Sequence, residues 1–203
     1  MLAFCLGAGA PAGKALAEPH PQVAAGGFHS LALDTGGTVR AWGANAHGLR
    51  GYGQLGIGTN PAVGRSYAAV RRHQRILCEP QPVAVLNPGG TGPLRAVRAL
   101  AAGHHFSLAL QEDGTVLAWG SNAFGQLGDG SEEFAFPFNR LLPQPAPVKG
   151  AEGADALRGI TALAAGYHHS VAVGRGGGVL AWGANSSGQL GDGTNAHQSV
   201  PVR

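Results

Sequence analysis

Apolar residues along this chain come in short runs that glycine-rich turns separate. Ser107-Leu-Ala-Leu110 and Thr115-Val-Leu-Ala-Trp119 are two such runs, and Asp113-Gly114 lies between them. Runs of this length with turn residues at both ends predict β-strands, and Asp-Gly between two of them predicts a hairpin. The pattern therefore predicts an all-β protein.

The strand pattern occurs three times, which identifies a repeat architecture. The repeats read VAAGGFHSLALDTGGTVRAWGAN from Val23, LAAGHHFSLALQEDGTVLAWGSN from Leu100 and LAAGYHHSVAVGRGGGVLAWGAN from Leu163. All three tryptophans of the chain occupy one repeat position, as Trp42, Trp119 and Trp182. A Gly-Gln-Leu-Gly segment follows each tryptophan.

Each repeat ends in a proline-valine run. These runs are Pro82-Val83, Pro147-Val148 and Pro201-Val202. Proline fits only an edge strand or the first residue of a strand, so we expect this run to form the outermost strand. With the segment that leads into each repeat, this gives about four short antiparallel strands per unit, which is the blade of a β-propeller.

The motifs AAGxxHS, DGTV, WGxN, GQLGDG and PxPV resemble the regulator of chromosome condensation repeat family. The resemblance covers 23–203 and implies a propeller, typically of seven blades. We assign repeats to about 23–99, 100–162 and 163–203, within a domain of 21–203. Propellers typically close with four to eight blades. We therefore expect an incomplete, three-bladed wedge with apolar end faces, which is completed by another copy, by further chain, or not at all.

Insertions interrupt the repeats, because successive tryptophans are 77 and then 63 residues apart, against roughly 40–50 for blade repeats. They lie at 49–53, 57–81 and 131–144. The 57–81 insertion carries Arg71, Arg72 and Arg75, which form either a solvated loop or a site for an acidic partner. Three phenylalanines of the last insertion either cover a blade edge or form a contact surface. They are Phe134, Phe136 and Phe138.

Composition and charge narrow the classes of function. The hydrophobic fraction of 44% excludes a disordered chain, and a net charge of only +3 argues against binding nucleic acid through a broad basic face. The leader at 1–20 is apolar, and Ala15-Leu16-Ala17 fits an imperfect signal peptide, although a disordered leader is the alternative. Cleavage would indicate export, and otherwise the protein would be cytoplasmic. The leader is too short and broken to span a membrane.

Catalytic and metal chemistry have no support in the sequence. Histidines recur at the same positions of the repeats, as His29, His104-His105 and His168-His169, so we interpret them as structural hydrogen-bonding groups. Asp113, Asp129 and Asp192 lie next to glycines, where turn chemistry accounts for them. The chain has no Gly-x-Ser-x-Gly motif. We predict no catalytic residue, metal or cofactor.

The sequence therefore favours a non-enzymatic module that binds a protein partner through blade loops and insertions. The resemblance implies a second function, because some family members promote guanine-nucleotide exchange on a small GTPase. The leader suggests a third, an exported binder or inhibitor of an enzyme or surface component. The six residues of the insertions are the candidate binding residues.

Overall fold

The computed structural model describes residues 21–47, 50–51, 53–58, 78–131, 141–151 and 155–203. In these ranges the chain forms β-strands and no α-helix. Most of the strands belong to three four-stranded antiparallel sheets, one for each repeat, which confirms the predicted blades.

The strands of each blade follow one another along the chain. Blade 1 contains β1 (Gln22–Ala25), β2 (His29–Leu33), β3 (Val39–Ala44) and β6 (Cys78–Ala84). Blade 2 contains β7 (Val97–Ala102), β8 (Phe106–Gln111), β9 (Val116–Ser121) and β10 (Leu141–Pro147). Blade 3 contains β11 (Ile160–Ala165), β12 (His169–Gly174), β13 (Val179–Gly183) and β14 (Gln198–Val202). A small ribbon of β4 (Ala46–His47) and β5 (Arg50–Gly51) follows β3.

The proline-containing strands lie at sheet edges, as predicted. The strand orders β1-β2-β3-β6, β7-β8-β9-β10 and β11-β12-β13-β14 place β6, β10 and β14 at one edge. The opposite edges, β1, β7 and β11, contact one another from blade to blade and are therefore innermost. An outer edge needs no further backbone donors, so proline is tolerated there.

The insertions are shorter than the sequence suggested. Strand β6 begins at Cys78 and β10 at Leu141, so 78–81 and 141–144 belong to outer strands. In β10 the pairing register breaks between Leu142 and Ala146, around Pro143 and Pro145. The prolines give these strand beginnings the composition of a loop.

The hydrophobic core lies between blades rather than within them. One buried cluster joins Leu31 and Val39 of blade 1 to Leu117 and Trp119 of blade 2. A second cluster joins blade 2 to blade 3, with Phe106, Leu108, Val116, Ala172 and Trp182 among its members. Blade 2 supplies both clusters because successive side chains of a strand point to opposite faces.

Blades 1 and 3 each have one open face. In β8, between two neighbours, every residue except Gln111 is buried, whereas β2 and β12 show alternation of buried and partly buried positions. Val23 on the open face of blade 1 is 83% exposed, and Val179 on that of blade 3 is 55% exposed. The fold is therefore an incomplete propeller of three blades.

Two valines at one repeat position test this account of the core. Val116 is fully buried between blades 2 and 3, while Val179 is largely exposed. We expect Val116→Ala to lower the free energy of unfolding by about 2 kcal/mol, from lost burial and the cavity left behind. Val179→Ala should change it by less than about 0.5 kcal/mol. Urea denaturation measures both, and equal effects would contradict cores placed between blades.

Candidate functional site

A backbone carbonyl joins each blade to the next. The carbonyl of Gln54 accepts hydrogen bonds from Ser107 Oγ at 2.9 Å and from Trp119 Nε1 at 2.9 Å. The carbonyl of Gln126 accepts the same two bonds, from Ser170 Oγ at 2.9 Å and Trp182 Nε1 at 2.9 Å. We call each arrangement a blade joint. The joints explain the repeated serine and tryptophan as structural groups.

The asparagine of each WGxN motif holds the Gly-Gln-Leu-Gly segment in place for the joint. Leu127 N donates to Asn122 Oδ1 at 2.9 Å, and Leu190 N donates to Asn185 Oδ1 at 3.0 Å. In blade 1, Leu55 N donates to an oxygen of Asn45 at 3.1 Å. Each asparagine therefore fixes the loop that carries the glutamine, and in the first two blades the carbonyl of that glutamine faces the next blade.

The aspartates of the repeats stabilise turns. Asp192 accepts from Thr194 N at 2.9 Å and from the Asn185 side-chain amide at 3.0 Å. The backbone N–H of Thr194, followed by its hydroxyl, lowers the pKa of Asp192 below the usual value. Asp113 has its pKa lowered in the same way, first by the backbone N–H of Thr115. These contacts support the turn interpretation.

The second glycine of Gly-Gln-Leu-Gly is required by the joint. A methyl carbon placed on Gly128 would lie 2.8 Å from Trp182 Nε1, and one on Gly56 would lie 2.8 Å from Trp119 Nε1. Gly191, at the same position of blade 3, has no atom within 4 Å of such a carbon. At both joints the methyl carbon would also meet a valine of the same repeat, Val148 Cγ1 at 2.7 Å from Gly128 and Val85 Cγ1 at 2.8 Å from Gly56.

Gly128→Ala and Gly191→Ala should separate the joint from the turn. Both glycines have positive φ, +65° and +70°, so alanine carries a similar backbone cost of about 1–2 kcal/mol at either site. We expect Gly128→Ala to cost about 1–3 kcal/mol more, because its methyl group meets both the Trp182 ring and Val148. Denaturation followed by tryptophan fluorescence measures the difference, and equal losses would contradict the joint geometry.

His29 forms part of the first joint. Ser107 gives its one proton to Gln54, so His29 Nε2 must donate to Ser107 Oγ, at 2.8 Å. Burial, and then the charge of His104, lowers the pKa of His29 from 6.5 to about 4. Phe106 occupies the equivalent position in the second joint, which supports a structural role.

Stability at mildly acid pH should depend on His29. Its folded pKa lies below its unfolded value, so the unfolded chain binds the proton first as pH falls. The stabilisation is complete above about pH 6.5 and is lost towards pH 4, by about 3 kcal/mol. His29→Phe, which introduces the residue type found at Phe106, should flatten the decline in this window. Chemical denaturation from pH 7 to pH 4 measures it, and identical profiles would refute the assignment.

Aromatic and imidazole rings form a continuous strip across the three blades. We call the following residues the loop strip: Phe28, His104, His105, Phe124, Tyr167, His168 and His197. His104 stacks on Tyr167 with centroids 3.9 Å apart, and Phe28 stacks on His105 at 5.4 Å. Phe124 links His168, at 4.8 Å, to His197, at 5.2 Å.

The loop strip presents aromatic surface at one end of the blades. Phe28 is 49% exposed and Tyr167 is 61% exposed. Burial, and then His104 and His169, lowers the pKa of His168 to about 4, so its imidazole is neutral at pH 7. In the described ranges no group of three or more His, Cys, Asp or Glu residues is placed to hold a metal ion.

The predicted binding residues of the insertions lie outside the described residues. They are Arg71, Arg72, Arg75, Phe134, Phe136 and Phe138. The chain re-enters the described structure at Cys78, which pairs with Ala44, and at Leu141, which pairs with Ser121. These pairs lie where β3 and β9 end, beside the loop strip. The leader at 1–20 is also outside the described residues.

Sequence reasoning missed the loop strip. Its rings at the two variable positions of AAGxxHS are Phe28, His104, His105, Tyr167 and His168. Every copy has at least one ring there, although the flanking residues hardly change. The available signal was an aromatic or imidazole ring at the variable positions of an otherwise constant AAGxxHS motif.

The sequence matches two family profiles, both described as Regulator of chromosome condensation (RCC1) repeat. One covers 113–173 and 176–203, and the other covers 22–49, 97–126 and 160–189. The chain belongs to the RCC1 repeat family.

Its described part contains no helix long and apolar enough to cross a membrane.

RCC1-repeat relatives match most of this chain. The probable E3 ubiquitin-protein ligase HERC6 of Homo sapiens is 35% identical over 181 residues, which are 89% of this chain and 14% of that protein. The RCC1 domain-containing protein RUG3, mitochondrial, of Arabidopsis thaliana is 31% identical over 89% of this chain and 34% of its own length. The chain therefore spans about a third or less of these relatives.

Solved RCC1 propellers have the same fold. Prp20p of Saccharomyces cerevisiae, in a structure described with its binding to Gsp1p and histones, is 25% identical with a TM-score of 0.61. That match covers 90% of this chain and 37% of Prp20p. Yeast RCC1 (Prp20) bound to Kap60 gives 26% identity and a TM-score of 0.57, over 90% of this chain and 36% of the solved chain. The RCC1 repeats of this chain thus form an interaction module of the propeller type.

Proposed function

We propose that the chain is a non-enzymatic module that binds a protein partner through the loop strip. The observation that carries the proposal is the exposure of Phe28 and Tyr167 on one continuous row of rings. Aromatic residues are enriched at protein interfaces and often supply most of the binding energy.

The charge state of the loop strip indicates the kind of surface it binds. Depressed pKa values keep the imidazoles of His29, beneath the strip, and His168, within it, neutral at pH 7. Neutral imidazoles beside the phenyl and phenol rings suit an apolar or aromatic surface with scattered hydrogen-bonding groups. The arginines of the 57–81 insertion would then supply contacts to acidic groups beside it.

The position of the two long insertions also favours a binding surface at the end of the blades that carries the loop strip. After each long insertion the described chain resumes at the end of the blades that carries the loop strip, at Cys78 and at Leu141. Insertions on one face of a repeat protein often form its binding face. We therefore propose Arg71, Arg72, Arg75, Phe134, Phe136 and Phe138 as further residues that contact the partner.

Two of the three repeated serines offer no hydroxyl for hydrolysis. Ser107 and Ser170 are fully buried and donate to backbone carbonyls at 2.9 Å. A nucleophile needs a base that accepts its proton and an approach for substrate. The ligase relative matches this chain over 14% of its length. These features favour binding over catalysis.

Binding through the strip is tested with Phe28→Ala combined with Tyr167→Ala. Both side chains are exposed, so stability should stay within about 0.5 kcal/mol of the parent. Proteins captured by the parent chain would be purified and their affinities measured directly. We expect at least about tenfold weaker binding for the double variant, since aromatic anchors dominate interfaces. Val202→Ala, on outer strand β14, is the control that should bind normally. Unchanged affinity of the double variant would refute the strip.

Guanine-nucleotide exchange is the second candidate, and the likeness to Prp20p favours it, because that structure is described with binding to Gsp1p. A release assay with labelled guanine nucleotide on purified small GTPases tests it. If the parent chain accelerates nucleotide release and the Phe28→Ala, Tyr167→Ala variant does not, the loop strip is the exchange surface. If the chain binds a GTPase without accelerating nucleotide release, binding alone is the function.

The exported-binder alternative rests on the leader, outside the described residues.

A further inference from the structure

The rings of the loop strip follow one another in a narrow row. From blade 1 towards blade 3, the row passes from Phe28 to His104, with centroids 5.2 Å apart, and from His104 to Tyr167, 3.9 Å apart. It continues to His168, 4.4 Å from Tyr167, and then to Phe124, 4.8 Å from His168. A narrow surface that is several rings long matches an extended segment of a partner better than a folded domain.

Backbone hydrogen bonds already join the loops that carry these rings. Gly27 N donates to the carbonyl of Gly103 at 3.2 Å, and His104 N donates to the carbonyl of Tyr167 at 3.1 Å. The glycine before each pair of variable residues donates its N–H within its own turn at 2.9 Å; these glycines are Gly26, Gly103 and Gly166. A segment that binds as an added β-strand depends on main-chain hydrogen bonds, and these donors are occupied.

The polyproline II helix is the extended conformation that needs no strand beside it. It has three residues per turn, a rise of about 3.1 Å per residue and no internal hydrogen bonds, so one turn advances by about 9 Å. Phe28 and Tyr167 approach His104 from the blades on either side of it, and the two ring steps together add to a similar length. Residues one turn apart in such a helix would therefore meet both exposed rings.

The side chains of the loop strip also suit a proline-rich segment in polarity. Phe28 and Tyr167, which are 49% and 61% exposed, offer ring faces on which pyrrolidine rings can pack. The Tyr167 hydroxyl and the N–H of a neutral imidazole can donate to the free carbonyls of the segment. Proline has no backbone N–H, so it requires no acceptor in return.

We propose that the loop strip binds a proline-rich segment of the partner protein in the polyproline II conformation. The inference rests on the proposed function of the strip and adds the class of partner. Prolines one turn apart lie against Phe28 and Tyr167, with His104 between them, and the segment continues past His168 towards Phe124. The fixed φ of proline and the joined loops both reduce the entropy lost on binding, so a narrow contact suffices.

Decaproline added to the full 203-residue chain at pH 7 tests the proposal. Two-dimensional NMR of the isotope-labelled chain should show saturable shifts that are largest at Phe28, His104 and Tyr167. Phe28→Ala combined with Tyr167→Ala should bind decaproline at least about tenfold more weakly, because it removes both exposed ring faces. Val202→Ala, on outer strand β14, should bind decaproline like the parent. A glycine-serine peptide of the same length should bind at least about tenfold more weakly than decaproline, because it loses more conformational entropy.

Decaproline made from D-proline is the matched control for the helix itself. It has the same composition and apolar surface, but it forms the mirror image of the left-handed polyproline II helix. We expect the parent chain to bind it at least about tenfold more weakly than the L-peptide, because the order of rings in the strip is fixed. Equal affinity for the two peptides would mean a general apolar contact and would overturn the proposal.

Two further results would also overturn the proposal. One is the absence of saturable binding of L-decaproline at millimolar concentrations, and the other is undiminished binding of that peptide by the double variant. Neither result would decide whether the loop strip binds a protein. That question is answered separately by the affinity of the double variant for proteins captured by the parent chain.

Discussion

The fold depends on a backbone carbonyl that its own blade cannot satisfy. The carbonyls of Gln54 and Gln126 each face the next blade, where a serine and a tryptophan donate to them at 2.9 Å. Leaving a buried carbonyl without a hydrogen-bond donor costs about 1–3 kcal/mol of stability. The two hydrogen bonds therefore favour packing of the next blade, which brings both donors, over packing of a surface that brings none. The same contact buries the tryptophan and forces glycine at the end of the segment. Each repeat therefore specifies half of two joints, and stability resides between repeats.

Much of this architecture was open to prediction from sequence because its signals are local. Short apolar runs with Asp-Gly or glycine turns indicated the strands, and Pro82, Pro147 and Pro201 marked the outer edge. The joint itself was not predictable. Its acceptor is a main-chain atom, which leaves no residue signature, and Gln54 and Trp119 are 65 positions apart. The first residues of β10 were also missed, because Pro143 and Pro145 gave them the composition of a loop.

The constant positions of the repeat stabilise the fold, and the variable positions form the proposed recognition surface. Serine, tryptophan, asparagine and glycine recur because each joint needs them in one geometry. The two positions after the AAG glycine are free of the joint and differ in every copy, as Gly-Phe, His-His and Tyr-His. The loop strip arises there because the fold stacks these positions from neighbouring blades, with His104 on Tyr167 at 3.9 Å. Their contacts cross repeats, so no single motif reveals them.

The packing of blade on blade also holds the loop strip together. The His104 ring lies so close to Gly27 that a methyl carbon on that glycine would overlap its Cδ2. Tyr167 holds the same repeat position as His104, and the two rings stack with centroids 3.9 Å apart. Blade-to-blade packing, which forms the joints, therefore also brings the rings of neighbouring blades into one row. A substitution that loosens a joint should for this reason disturb the loop strip as well, although the strip contributes no residue to the carbonyl contact.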